Sequence, residues 1–381
     1  MATGNGFVPT ANDYMALVDD LRAQVRPIST PHQILETFPL SERGAHMVAD
    51  WRQTFVDILC GKDELNRLIV VAGPCSIHDV DAAMEYYAWL AKQAQDVEED
   101  VFVVARAYFE KPRTSVGWKG LINDPHLDDT CDIETGFREA RKLLRFLVEE
   151  LSLPAGTELL DPLTPQYIAD LLTMAAIGAR TAEAQLYRCL AAALSMAVGF
   201  KNIRHGIPRS ATQVAVDAIL AAREEHTFLS VTKHGQSAIV RAAGNPNGFC
   251  ILRGVDGEAS YSQNHVRTAA EMLPTNRQTP APIGVLVDCS HGNSSKNYRK
   301  QPQVAKELLR QVAGGSRAVR GLMLESFLNE GKQSFTPGVD DPSKLAYGVS
   351  ITDGCISRGT TKRLVRKAAA ASSARKKLRS H

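Results

Sequence analysis

Eight residues with ionisable or metal-capable side chains stand at or near the ends of eight short apolar runs: Cys75, Arg106, Glu158, Arg180, Lys201, Arg253, His291 and Glu325. They sort into two chemistries. Arg106, Arg180, Lys201 and Arg253, with Lys111 and Arg113, form a cationic group. Converging cations suit a substrate with several negative charges, because guanidinium forks match phosphate and carboxylate oxygens. Cys75, His291 and Glu325, with Asp353, offer one sulfur, one nitrogen and two carboxylates. That donor set suits Mn²⁺, Fe²⁺, Co²⁺ or Zn²⁺ rather than Mg²⁺. No two of the four are close in sequence, so spacing alone does not assign a metal site.

The elements that must position these residues follow from the runs at 68–73, 101–107, 156–160, 175–179, 197–200, 250–252, 284–287 and 321–324. They are continuously apolar rather than alternating, which suits parallel strands covered on both faces. Helix-like segments separate them. Eight such units predict a (β/α)₈ barrel over 66–367, whose active site would gather at the carboxyl ends of the strands. Residues 1–65 read as an N-terminal helical extension, with helical periodicity at 13–25 and 46–59 split by the Pro-containing stretch 27–40. Segments 227–232 and 237–242, joined by Lys233-His234-Gly235-Gln236, read as an inserted β-hairpin. A long loop spans 328–350, and 368–381 reads as a basic tail.

Composition narrows the class. The 381 residues are 44% hydrophobic, ample for a core, and the uncharged stretch 189–200 is too short to span a bilayer. There is no basic, apolar leader at the N-terminus. Seven cysteines without a CxxC pair argue against a disulfide framework and for a reducing, cytoplasmic setting. The net charge of +2 includes nine Lys/Arg and no acid at 358–379, so the rest of the chain is net negative. No aromatics interleave that basic segment, so a solvated final helix is expected there and no nucleic-acid or membrane partner.

Several blocks of the sequence, in order, resemble the class I 3-deoxy-arabino-heptulosonate 7-phosphate (DAHP) synthases. They include Gly73-Pro74-Cys75-Ser76-Ile77-His78-Asp79, Arg106-Ala107-Tyr108-Phe109-Glu110-Lys111-Pro112-Arg113-Thr114 and Gly199-Phe200-Lys201-Asn202. Ile251-Leu252-Arg253-Gly254, Asp288-Cys289-Ser290-His291-Gly292-Asn293-Ser294-Ser295-Lys296 and Ser350-Ile351-Thr352-Asp353 continue the match. The resemblance runs from about residue 30 to 367. It implies condensation of phosphoenolpyruvate with erythrose 4-phosphate, giving the seven-carbon sugar acid and phosphate. It also implies a divalent metal on Cys75, His291, Glu325 and Asp353. Arg106, Glu158, Arg180, Lys201 and Arg253 would surround phosphoenolpyruvate, and Lys111, Arg113 and Thr114 would hold the aldehyde's phosphate. Among these, Lys201, Glu158, Arg106 and Asp353 would take part in catalysis. Lys201 would be a proton donor and Glu158 would orient the attacking water. An aromatic amino acid effector would bind near Pro165, Gln166, Phe228 and Ser230, and the extension and hairpin would build a homodimer or homotetramer. His78 and Asp79 read as capping residues of the following helix.

The match is uneven. Ala182-Glu183-Ala184 stands where the family usually has Thr-Glu-Ser, and Leu190-Ala191-Ala192-Ala193 where it often has Ala-Ser-Gly. Ile203-Arg204-His205-Gly206 replaces Gly-x-Asp-Gly, and Phe327 stands where histidine is common. Isoleucine for glycine is costly if the backbone there needs φ > 0. These changes put the acceptor in question more than the donor. They leave open a different aldehyde, or a regulatory or binding paralogue with little turnover.

Overall fold

The computed structural model describes residues 25–113, 116–275 and 283–378. Eight parallel strands pair in the order β1 (Leu68–Gly73), β2 (Val101–Arg106), β3 (Ala155–Leu159), β4 (Met174–Ile177), β5 (Ala197–Lys201), β8 (Gly248–Leu252), β9 (Val285–Asp288) and β10 (Val319–Phe327). The pairing of β1 with β10, Ile69 opposite Gly321 through Gly73 opposite Glu325, closes the sheet into the expected barrel. Alternation along the strands divides the apolar residues into two layers. Leu68, Val70 and Ala72 face outward onto Tyr86, Leu90 and Val365 of the surrounding helices. Ile69 and Val71 face inward with Phe102, Met174, Phe249, Leu286 and Met323. Both faces are dry, which is why the strands read as unbroken apolar runs.

The described part of the N-terminal extension packs into the barrel. A helix over Glu42–Cys60, capped by Ser41 and ended by Gly61 at φ 71°, inserts Phe55, Ile58 and Leu59 into the inner layer. The Phe55 and Phe249 rings lie 5.4 Å apart. This helix closes the end of the barrel opposite the site. The stretch 27–40 is also partly helical: Thr30 caps Pro31–Thr37, where proline at the first position costs no hydrogen bond. The periodic segment at 13–25 lies outside the described residues, apart from Val25.

The hairpin forms as β6 (His226–Val231) and β7 (Ser237–Ala242), antiparallel and outside the barrel. It leans on the helix Gln185–Ala193 and leaves Leu229 and Ile239, directly opposed in register, largely exposed. The basic C-terminal segment is not wholly solvated. One helix runs Arg358–Lys377, past position 367, and buries Ala368, Ala371 and Arg375. Arg375 donates to the carbonyls of Asn66, Arg67 and Val319, which fastens the helix beneath β1 and β10. Among the described residues no helix is long and apolar enough to cross a membrane.

One departure in the sequence is a helix-end effect. Ala184 occupies the N-cap of Gln185–Ala193 and makes no side-chain cap. A hydroxyl there could accept one of the free N–H groups of the first turn. Ala184→Ser should therefore stabilise the protein by about 1 kcal/mol, read as a higher urea midpoint with an unchanged m-value.

Candidate active site

The mouth of the barrel is held together at β1, β2 and β10. Gly73 ends β1 where an added Cβ would meet the Arg106 carbonyl oxygen at 2.3 Å, so only glycine allows the two backbones this close. The chain then turns through Pro74 to Cys75. Arg106, the last residue of β2 and 2% exposed, donates through Nη1 to the carbonyls of Pro74 and Cys75. Its Nη2 lies 3.0 Å from Glu325 Oε1, inside β10. The guanidinium carbon sits 3.6 Å from the centre of the Tyr108 ring. Burial opposes its charge, but Glu325 and the polar groups around it outweigh burial and hold Arg106 above its usual range.

Cys75 Sγ, Glu325 and Asp353 each present a ligand atom, all within 4.8 Å of one another. His291 lies outside that tight set but beside it. Its Nε2 is 3.7 Å from Glu325 Oε1, and its Nδ1 lies 2.8 Å from Asp288 Oδ2. His291 adopts φ 53° in the turn after β9, a strained backbone of the kind kept where function needs it. Three of the four donors that sequence reasoning selected thus come together, with His291 beside them, and this donor chemistry suits a divalent transition metal. Lys111 Nζ bridges Cys75 Sγ at 2.9 Å and Asp353 Oδ2 at 2.8 Å. Burial, with Glu325 nearby, pushes the Cys75 thiol up to about 12. Against burial, Lys111 holds the Asp353 carboxyl below its usual range.

The cationic group lines the same cavity, of about 280 Å³, with Arg106, Lys111, Arg113, Arg180, Lys201 and Arg253 all on its walls. Lys201 ends β5 and pairs with Glu158 Oε2 at 2.8 Å, 3.9 Å from Asp288 Oδ2. Burial disfavours both charges, yet each partner outweighs it, so Lys201 is held up and Glu158 down. Arg253 is 4% exposed, with its backbone N–H on Asn202 Oδ1. Gly254 follows at φ 77°, where a Cβ would strike Asn293 N at 2.6 Å, so glycine lets the β8 and β9 loops meet. Arg113 donates to the Trp118 carbonyl. Thr114 lies outside the described residues.

Some lining residues escaped the sequence reading. Tyr108 takes both the Arg106 and the Lys201 charge over its ring, and Lys296 also faces the cavity, as does Arg204 of the departing 203–206 segment. Asp288, fully buried, lies against His291. Tyr108, Asp288 and Lys296 sat within the motif blocks, but nothing in a linear motif tells a wall residue from a packing one. Glu158 and Glu325 lie inside their strands rather than after them. Asp79 does cap the helix Val80–Gln95, accepting from Ala82 N, whereas His78 packs edge-on against Trp118 and Phe327. Ile203 is not among the residues with positive φ; Gly206, at 87°, takes that conformation. The replacement of glycine at 203 therefore carries no backbone cost.

A second cavity of about 400 Å³ lies between the hairpin and the barrel helices. It brings together Pro165, Gln166, Phe228 and Ser230, with Arg52, Asp170 and Lys233 on its polar side.

The fold and these strand ends define a (β/α)₈-barrel enzyme whose site gathers cations beside a triad of possible metal ligands. Residues 37–366 match the model of the DAHP synthetase I family. The chain is 48% identical over 359 residues to the Phe-sensitive phospho-2-dehydro-3-deoxyheptonate aldolase of Escherichia coli, covering 94% of this chain and 98% of the relative. To the Tyr-sensitive enzyme of the same organism it is 46% identical over 340 residues, covering 89% and 91%. The solved phospho-2-dehydro-3-deoxyheptonate aldolase of Francisella tularensis superposes with a TM-score of 0.85 at 40% identity, covering 92% of this chain and 98% of that one. The chain belongs to the DAHP synthetase I family.

Glu110, on the cavity wall, accepts from the N–H groups of Leu160 and Asp161 and is pushed up to about 7, chiefly by burial. A raised carboxyl contributes stability below its ordinary value of 4.5, and that stability is lost as pH rises to about 7. Urea titrations of wild type and Glu110→Gln should show the difference moving in favour of the variant across that window and levelling above it. A constant difference would remove Glu110 as a neutral, buried acid.

Proposed function

We propose that this protein condenses phosphoenolpyruvate with erythrose 4-phosphate to give DAHP and inorganic phosphate, the entry step of aromatic biosynthesis. The observation that carries the reading is the convergence of eight cations on one cavity beside the clustered Cys75, Glu325 and Asp353 donors. Two multiply charged anions repel each other, and fixed cations in a partly dry site offset that repulsion. Arg106, Arg180, Lys201 and Arg253 surround the phosphate and carboxylate of phosphoenolpyruvate. Arg113, with Lys111 and Thr114, takes the aldehyde's phosphate. A divalent metal held by Cys75, His291, Glu325 and Asp353 would supply Lewis acidity at the aldehyde carbonyl. With Glu158 at 2.8 Å, Lys201 keeps its proton tightly, which favours an anchoring ammonium over the proton-donor role suggested by the sequence. Glu158 stays a carboxylate and can orient the water that captures C2.

Purified protein given Mn²⁺, phosphoenolpyruvate and erythrose 4-phosphate should consume phosphoenolpyruvate and release phosphate only with both substrates present. A chelator should abolish this and added Mn²⁺ restore it. Cys75→Ala should lower metal affinity and lower the rate by about two orders of magnitude. Phosphoenolpyruvate that binds but is consumed only with another aldose phosphate would replace the acceptor in this reading. No binding by calorimetry would replace catalysis with a binding role.

The second cavity suits an aromatic amino acid. Pro165, Leu190, Phe228 and Val240 offer an apolar wall, and Arg52, Lys233 and Asp170 offer charges for a carboxylate and an ammonium group. The exposed Leu229–Ile239 pair on the hairpin next to it gives an apolar face for a homodimer or homotetramer. Phenylalanine or tyrosine should inhibit turnover. Ser230→Trp, which fills the cavity, should raise the inhibitor concentration required by about tenfold or more. An unshifted inhibition curve would remove this cavity as the effector site.

A further inference from the structure

Arg204 is the charge that the departure after Lys201 introduces. Its side chain, 21% exposed, lines the substrate cavity, and its Nη2 lies 3.0 Å from Asp256 Oδ2. Asp256, 37% exposed, stands behind it, outside the cavity's lining. The backbones are tied as well, because Asp256 N–H donates to the Arg204 carbonyl at 2.7 Å. Asp256 sits at the tip of a tight turn in which Val255 and Glu258 bond to each other and Gly257 takes φ 96°. The main chain at 204 is therefore fixed whichever partner the guanidinium chooses.

The sequence suggested that these departures bear on the acceptor. The structure instead groups Arg204 with Arg253 and Arg180: Asp256 and Asp288 support the Arg253 charge, while burial, Arg204 and Arg180 oppose it. Three guanidiniums lining one cavity suit an anion with several oxygens. A pair as open to water as Arg204–Asp256 adds little to stability. A phosphoryl dianion held by a planar fork is a stronger partner than one solvated carboxylate.

We propose that Arg204 is an additional phosphate-binding residue on the donor side of the cavity, parked on Asp256 and transferred to the phosphoryl group when it binds. The idea rests on the proposed function only in calling that phosphoryl group phosphoenolpyruvate's.

The test is calorimetric titration of the full-length, Mn²⁺-loaded protein with phosphoenolpyruvate and, separately, with inorganic phosphate. Thermal melts would confirm that each variant is folded. Arg204→Gln should weaken both ligands by about five- to thirtyfold and flatten the salt dependence of binding. Asp256→Asn, which frees the guanidinium, should tighten both. Opposite signs are the signature of a parked cation. Loss of affinity in both variants would mean that the pair only braces two loops, and overturn the inference. So would a shift in the KM for erythrose 4-phosphate alone. Inorganic phosphate binding is read without turnover, so it reports on Arg204 even if the condensation fails. Unaltered phosphate binding in an active Arg204→Gln enzyme would sink this inference and leave the function standing.

Discussion

The site depends on the ion pair between Arg106 and Glu325, 2% and 0% exposed, reaching across β1 from the two strands that flank it. Arg106 also holds the Pro74 and Cys75 carbonyls, so the pair fixes where the thiol points. Glu325 accepts from Ser290 Oγ at 2.8 Å, which ties in the β9 loop that carries His291. A buried pair of this sort is weak evidence for net stability, yet losing one partner leaves an uncompensated charge and costs about 3–5 kcal/mol. Its consequence here is placement: two loops from distant parts of the chain are set around one point.

The same logic recurs around the cavity. Lys201 leans on Glu158, Lys111 on Asp353 and Cys75, and Arg204 on Asp256. Lys201 and Lys111 are held in place by their acids, so little reorganisation remains for them on binding, whereas Arg204 would exchange its partner. Burial separates the pairs by strength. The Lys201–Glu158 pair is dry and locked, whereas Arg204–Asp256 is open to water and exchangeable.

The second cavity obeys a different constraint. It lies outside the barrel, built by a hairpin whose outer face is apolar and exposed. Lys233 donates to the Gln166 carbonyl and His32 N–H to the Lys233 carbonyl, so hairpin, barrel helix and N-terminal segment meet there. Occupancy of that cavity and packing of the hairpin against another subunit would therefore act on the same element.

Much of this was legible in the sequence. Dry parallel strands leave unbroken apolar runs, and the hairpin leaves alternation around a glycine turn, so the sequence by itself determined the barrel, the insertion and the strand ends that carry charge. Periodicity cannot say which inner space a helix fills, so the sealing role of Phe55 and the burial of Arg375 were invisible. Nor could it say which cation meets which acid. Glu158 with Lys201, Asp353 with Lys111 and Asp256 with Arg204 are separated by 43 to 242 positions and adjoin only once the sheet closes. Residue types determined the chemistry available; the tertiary structure alone decided the pairings, because charge interactions depend on distance and burial, which no linear spacing encodes.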